Sequence, residues 1–399
     1  MSFLFLFLLF SGFDSFLRDG LLALNSKRFE AARGSLEAAG KLKPDSSQVW
    51  LALAQTYYKL GNTKLALDAA RKAESLAVDE PKVLHGLALF HAENGDLLKA
   101  AECEEMYSVH DMNAIPPAVR LYLDAGNPQR AIALAESAIG RADSAPLRHV
   151  LGKAYGAAGN TAKAIPEFRK AVEMDRYEEA YYFDLAQILL VHQEYQSAIQ
   201  TLESSRRIFA RSPQLELALG VAYYGQRRFN EAVDSFLRVI AMAPDVEQPY
   251  AFLGRIIDQA GDRLPEIEKR FAAYAKAAPK SAVSQFLYAK AINASSGDPA
   301  AAEALLRKSI AIDGRNWESH LELGIALEKR RSYEEAAREL VRSIELNPKS
   351  STPHYRLARV YDRLGKKQQA ASERGRHAEL AAEEEAVAGK QAAGMVPVQ

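Results

Sequence analysis

The sequence predicts an all-α chain, a superhelical solenoid of about eleven stacked helical hairpins, on three observations. A skeleton of apolar and small residues returns every 31 to 35 residues, two columns of that register are almost wholly Gly or Ala, and a Gly followed by Asn or Asp recurs near its midpoint. A fixed period in this range marks a repeat architecture, in which each supersecondary unit buries its apolar face on its neighbours. Composition allows it: 48% of the 399 residues are apolar, and 23 Gly with 16 Pro is below ordinary usage, so the chain folds as neither a collagen nor a linker.

The elements follow in chain order. Residues 1–12 form an apolar N-terminal segment whose run Phe3 to Phe10 has the length of a signal-peptide core but lacks a basic flank or a cleavage site before Ser15. It reads as a degenerate signal or anchor, or as a cap on the first hairpin. The run is well short of the roughly 18 apolar residues of a spanning helix, so no transmembrane body is expected, and N-terminal membrane contact stays open. Cytoplasmic and exported placements both stay open. Repeats then start at residues 13, 47, 81, 112, 145, 179, 213, 247, 282, 317 and 351 and run to residue 384. In the second, Trp50, Leu53, Ala54 and Tyr57 recur at helical spacing, Gly61 interrupts, and Ala66, Ala70 and Ala73 form a second stripe. The seventh repeats this with Leu219-Gly220, Tyr223, a turn at Gln226-Arg227-Arg228, then Ala232, Phe236 and Val239. The third is short, and Pro116-Pro117 in the fourth predicts a late helix start and an irregular joint near 107–117. Beyond Arg363 the chain stays helix-friendly but turns acidic at Glu379 and Glu383-Glu384-Glu385, as a solvated capping helix would, and 385–399 reads as its end and a flexible tail.

Column eight of this register reads Gly20, Ala54, Ala88, Val119, Gly152, Ala186, Gly220, Gly254, Ala289, Gly324 and Ala358. With one insertion in the eighth repeat, column twenty is Ala at ten sites and Ile267 at the other. Small residues at two fixed sites let the helices of a hairpin approach closely while larger ones fill the grooves. Gly61-Asn62, Gly95-Asp96, Gly126-Asn127, Gly159-Asn160, Gly261-Asp262 and Gly297-Asp298 each predict a helix stop followed by a helix cap.

Small column eight, an aromatic at eleven, Ala at twenty, Phe or Leu at twenty-four and Pro at thirty-two resemble the tetratricopeptide repeat, over residues 13 to about 384. The proline is present only as Pro44, Pro244, Pro279 and Pro348. The resemblance implies a right-handed superhelix whose first helices line a concave groove that holds extended peptides or partner helices. Two specialised groove patterns of the family are missing: there is no Lys and Asn pair at five and nine of one repeat, and no asparagine ladder at six.

The inventory of chemistry is sparse. Fifty-one basic and 51 acidic residues leave no net charge, which disfavours a dedicated nucleic-acid coat. The single Cys103 excludes an intrachain disulfide framework and a Cys-based zinc site, and its acidic neighbours Glu102, Glu104 and Glu105 argue for an inert thiol. No two of the eight histidines have the spacing of a zinc helix, and no phosphate loop, dinucleotide fingerprint or serine elbow occurs. No catalytic residue, metal ligand or cofactor is therefore expected. Asn293-Ala294-Ser295 matches a glycosylation sequon.

Positions two, five, nine and twelve of each first helix share one face, which the resemblance places inside the groove. Position nine carries Arg120, Lys153, Arg255, Lys290 and Arg359 and no acid, five bases where composition predicts roughly 1.4. Position five adds Phe183, Phe286 and Tyr355 among other apolar residues, while Asp258, Glu318, Glu328 and Asp362 share the face. These eight residues are the candidate partner-binding groove, suited to a segment carrying carboxylates among hydrophobes. The expectation is a non-enzymatic scaffold or adaptor for protein or peptide partners. Two alternatives stay open: a helical-repeat binder of single-stranded nucleic acid, and a substrate-presenting subunit of an enzyme complex.

Overall fold

The computed structural model describes the backbone of residues 2–392 and the side chains of residues 12–384, and among these every regular element is helical. The chain divides into two compact units, residues 1–191 and 192–399. The N-terminal unit carries α1 (Ser2–Asn25), α2 (Phe29–Leu42), α3 (Ser47–Lys59), α4 (Thr63–Leu76), α5 (Pro81–Glu93), α6 (Leu97–Tyr107), α7 (Ile115–Asp124), α8 (Pro128–Ile139), α9 (Ala145–Ala157), α10 (Thr161–Met174) and α11 (Glu179–Val191). The C-terminal unit carries α12 (Tyr195–Arg206), α13 (Pro213–Gly225), α14 (Phe229–Met242), α15 (Gln248–Arg255), α16 (Leu264–Ala277), α17 (Ala282–Ala294), α18 (Pro299–Ile312), α19 (Trp317–Lys329), α20 (Tyr333–Leu346), α21 (Ser351–Arg363) and α22 (Lys367–Ala392). Odd-numbered helices are the first of each repeat and even-numbered ones the second. Within each unit a second helix also packs on the first helix of the next repeat, so the hairpins stack.

Every residue of column twenty, from Ala32 to Ala370 and including Ile267, has no solvent exposure at all. Column eight meets another position of the second helix. A Cβ added at Gly20 would lie 2.6 Å from Leu36 Cγ, at Gly152 2.9 Å from Phe168, at Gly220 2.6 Å from Phe236 and at Gly324 2.6 Å from Leu340. Each of these partners stands at position twenty-four of the same repeat. The glycine is thus the socket for one large residue on the facing helix, an interlock that leaves no space for a methyl group.

The turns are more uniform than the glycines. Position fifteen lies in the left-handed region in all eleven repeats, as Gly61, Gly95, Gly126, Gly159, Gly261 and Gly365 but also as Lys27, Gln193, Arg227, Ser296 and Arg331. In most hairpins the N–H of residue sixteen then donates to the carbonyl of residue eleven, as in Asn62 to Tyr57 at 2.9 Å and Arg228 to Tyr223 at 2.9 Å. That closure needs one left-handed residue, whatever its side chain. Near Gly297 the strained residue is accordingly Ser296, one place earlier than the glycine suggests. Asp96, Asn127, Asn160 and Asp298 cap the following helices through their side chains, while Asn62 makes no such bond.

Two repeats depart from the pattern. In the fourth, a 3-10 turn at Met112–Ala114 precedes α7, and Pro116 and Pro117 occupy its first turn, where their missing N–H groups cost nothing. In the eighth, α15 has only eight residues and gives way to 3-10 turns at Ile257–Gln259 and Gly261–Arg263, so Asp262 is no helix cap. The tighter winding absorbs the inserted residue and keeps Ile256, Ile257, Ala260 and Ile267 buried. At the ends, residues 2–12 continue α1 as helix, and α22 is the extended second helix of the last hairpin, burying Ala370 and Leu380. The side chains of the N-terminal apolar run up to Ser11 and the expected tail at 393–399 lie outside the described residues.

Candidate interaction surface on the first helices

Of the N-terminal unit's candidates, Arg120 on α7 is exposed and has no acid within ion-pair distance among the described residues. Lys153 on α9 sits 3.5 Å from Asp184 on α11, which also accepts from His149 at 2.7 Å, beside the half-buried Phe183. Burial pushes the Asp184 carboxyl up, but the His149 hydrogen bond and the Lys153 charge outweigh it and hold it below the usual carboxylate range. Nearer the N-terminus the same face is mainly apolar and amide, with Asp79, Glu80 and Lys82 at the start of α5 adding charge. Leu21, Gln48, Leu51, Ala52, Gln55 and Val83 line a cleft of about 620 Å³ between the first helices of the first three repeats.

The C-terminal unit repeats a single arrangement on α15, α17 and α21. Arg255 lies over the Phe252 ring at 5.6 Å, Lys290 over Phe286 at 5.7 Å and Arg359 over Tyr355 at 5.9 Å. The rings stand three or four residues before the cations, so the helical turn itself stacks them. Phe252 is in turn stacked on Phe236 at 4.9 Å. Phe286 corrects one expectation: at 5% exposure it is core, and it supports Lys290 without offering a surface of its own. Tyr355, at 43%, is exposed.

Several of the bases at position nine are matched by acids of a neighbouring repeat. Arg359 pairs with Glu328 at 3.1 Å, as Lys153 does with Asp184. Below Lys290 lies Glu322, buried and, like Asp184, at position six. Burial pushes its carboxyl above the usual range, opposed by a hydrogen bond from Asn293 Nδ2 at 2.8 Å and by the charges of Lys290 and Arg356. Asn293 Oδ1 and Arg356 Nε are buried without a partner among the described residues. Asn293, the residue of the sequon, is 8% exposed, so the folded chain does not present it for modification.

The sequence did not reveal these pairings because the partners of Asp184 and Glu322 lie 35 and 29 residues away. It also missed a recurrent inter-repeat tie, from the tyrosine at position eleven to a glutamate on the preceding second helix. Tyr57 donates to Glu37 at 3.0 Å, Tyr122 to Glu105 at 2.5 Å, and Tyr155 and Tyr223 to Glu136 and Glu203. Together with burial, each tie pushes its phenol to about 12. Tyr at eleven with Glu at twenty-five of the repeat before was the available signal.

These features define an α-helical hairpin-repeat protein. The tetratricopeptide repeat model matches residues 17–81, 149–214, 294–351 and 321–385, and a second model of the same repeat matches 215–250. The chain belongs to the tetratricopeptide repeat family and, in the family's general sense, is a protein-interaction scaffold. Comparison with curated proteins gives no match. Among solved structures it is similar to yeast Tom70, at 14% identity over 96% of this chain and 95% of that one, with a TM-score of 0.39. It is also similar to the anaphase-promoting-complex assembly Cut9-Hcn1, at 13% over 92% and 94% with 0.39, and to pilF of Pseudomonas aeruginosa, at 19% over 62% and 99% with 0.33. No helix among the described residues is long and apolar enough to cross a membrane.

Proposed function

We propose that the chain is a non-catalytic scaffold that holds an extended segment of a partner protein along the first-helix face of its C-terminal unit, the segment carrying carboxylates between apolar residues. The observation that carries this reading is the threefold recurrence of a cation stacked on a ring, Arg255 on Phe252, Lys290 on Phe286 and Arg359 on Tyr355. Each ring limits the entropy its cation loses on binding, and the exposed Tyr355 adds apolar area, which the buried Phe286 does not. Arg120, Lys153 and Phe183 form a smaller counterpart in the N-terminal unit. The acids that already neutralise Lys153 and Arg359 count against a phosphate-tracking surface.

A photo-crosslinking residue at 355 or 255 should capture a protein from lysate of the native host, whereas one at the exposed Lys308 on α18 should not. Equal labelling from all three sites would remove the assignment. RNA binding with a steep salt dependence would replace it with the nucleic-acid reading.

A further inference from the structure

The third repeat departs from its siblings at two polar positions at once. At position eleven, where the second, fourth, fifth and seventh repeats carry the tyrosine that ties them to the preceding second helix, it carries His91. At position twenty-three, where Glu167, Glu339 and Glu373 bind a base at position four of their own repeats, it carries Cys103. His91 on α5 turns towards α4 as the tyrosines do and meets Glu74, with Nε2 2.6 Å from the carboxylate. Cys103 comes in from α6. One ligating atom from each of the three lies within 4.8 Å of the other two.

We propose that Glu74, His91 and Cys103 form a binding site for one divalent metal ion of the zinc class. A thiolate, an imidazole and a carboxylate are the mixed donor set such an ion accepts, and the two anions neutralise its charge. His91 is 3% and Cys103 4% exposed, and His91 Nδ1 is buried with no hydrogen-bond partner among the described residues. The Glu74 side chain is 23% exposed and opens one side to water, which supplies a fourth ligand. The nearby ammonium of Lys99 is tied to Glu102 at 2.7 Å. A free thiol carries its proton at neutral pH. Binding forms the metal–sulfur bond, breaks the S–H bond and releases that proton to solvent. The site would fasten α4, α5 and α6 to one another. The exclusion of a Cys-based zinc site counted cysteines, and a mixed set drawn from three helices needs only one.

Cobalt(II) titrated into the full chain reads the site directly, because a thiolate-to-cobalt charge-transfer band can come only from the single Cys103. The band should saturate at one ion per chain, release about one proton per ion, and vanish when zinc is added. Cys103→Ser should abolish it, and His91→Gln and Glu74→Gln, checked for unchanged helical circular dichroism, should each weaken cobalt binding by about tenfold or more. Absence of the band from the folded wild-type chain, or a band that His91→Gln and Glu74→Gln leave unchanged, overturns the proposal.

Discussion

Asp184 in the N-terminal unit and Glu322 in the C-terminal unit occupy the same repeat position, six, each accompanied by the position-nine lysine of the repeat before. Asp184 receives the His149 hydrogen bond and a lysine ammonium and is held below its ordinary range. Glu322, more deeply buried and sharing its surroundings with Asp258, is held above. The repeat fixes where an acid stands, and the burial and partners supplied by adjacent hairpins decide its charge. The first-helix faces differ in the same manner, from the cleft around Leu21, Leu51 and Gln55, whose charges are Asp79, Glu80 and Lys82, to the stacked cations of α15, α17 and α21. The interlocks beneath are shared: Gly152 meets Phe168 in one unit as Gly220 meets Phe236 in the other.

The largest effect should come from attacking what the units share. Gly152→Leu and Gly220→Leu should each destabilise by about 1 to 3 kcal/mol or more, read by thermal melts of helical circular dichroism. A negligible cost at either site would mean that the two units are not built alike. Next, the acids should respond to pH in opposite senses. A lowered folded-state value gives stability that is present above the ordinary Asp range and lost as pH falls through it, and Asp184→Asn should remove that loss. With a raised value, stability falls as pH climbs from the ordinary Glu range through the folded-state value. Glu322→Gln should flatten that decline and raise Tm at neutral pH, and pH-dependent melts that move both variants in the same direction would contradict the contrast.

Among the bases, Arg255 is the clean probe of the C-terminal face, since no acid pairs with it among the described residues. Arg255→Glu should weaken partner capture about tenfold or more at unchanged Tm, measured by quantitative pull-down. Lys290→Glu would place two carboxylates together at Glu322 and cost stability as well, so its effect on binding is not separable. The smallest effect concerns the turns. Arg227→Gly and Lys27→Gly, one in each unit, should stabilise by about 0.5 to 1 kcal/mol by relieving a left-handed conformation at an exposed site. A loss of stability in denaturant titrations would show that the lost backbone entropy wins.

The packing scheme was legible because it is written in residue size at a fixed interval: Gly20, Gly152, Gly220 and Gly324 signal a socket wherever they recur. The left-handed residue at position fifteen was legible only where it is glycine, since Lys27 or Arg331 adopts the same φ without a compositional mark. Of the candidate face, the bases and the exposed Tyr355 stand on first helices, while Phe286 is core. Neither the neutralisation of Lys153 and Arg359 nor the ties from Tyr57 and Tyr122 was visible, because each joins hairpins roughly a repeat apart.

The sequence by itself determined the helical class, the repeat register, the helix interlock and the family, because each depends on side-chain size and backbone preference within about 34 residues. Only the tertiary structure decided which charges are paired, which acid is held ionised, and that Glu74, His91 and Cys103 meet. Those outcomes depend on distance and desolvation between side chains of different hairpins, and residue types along one chain do not encode either.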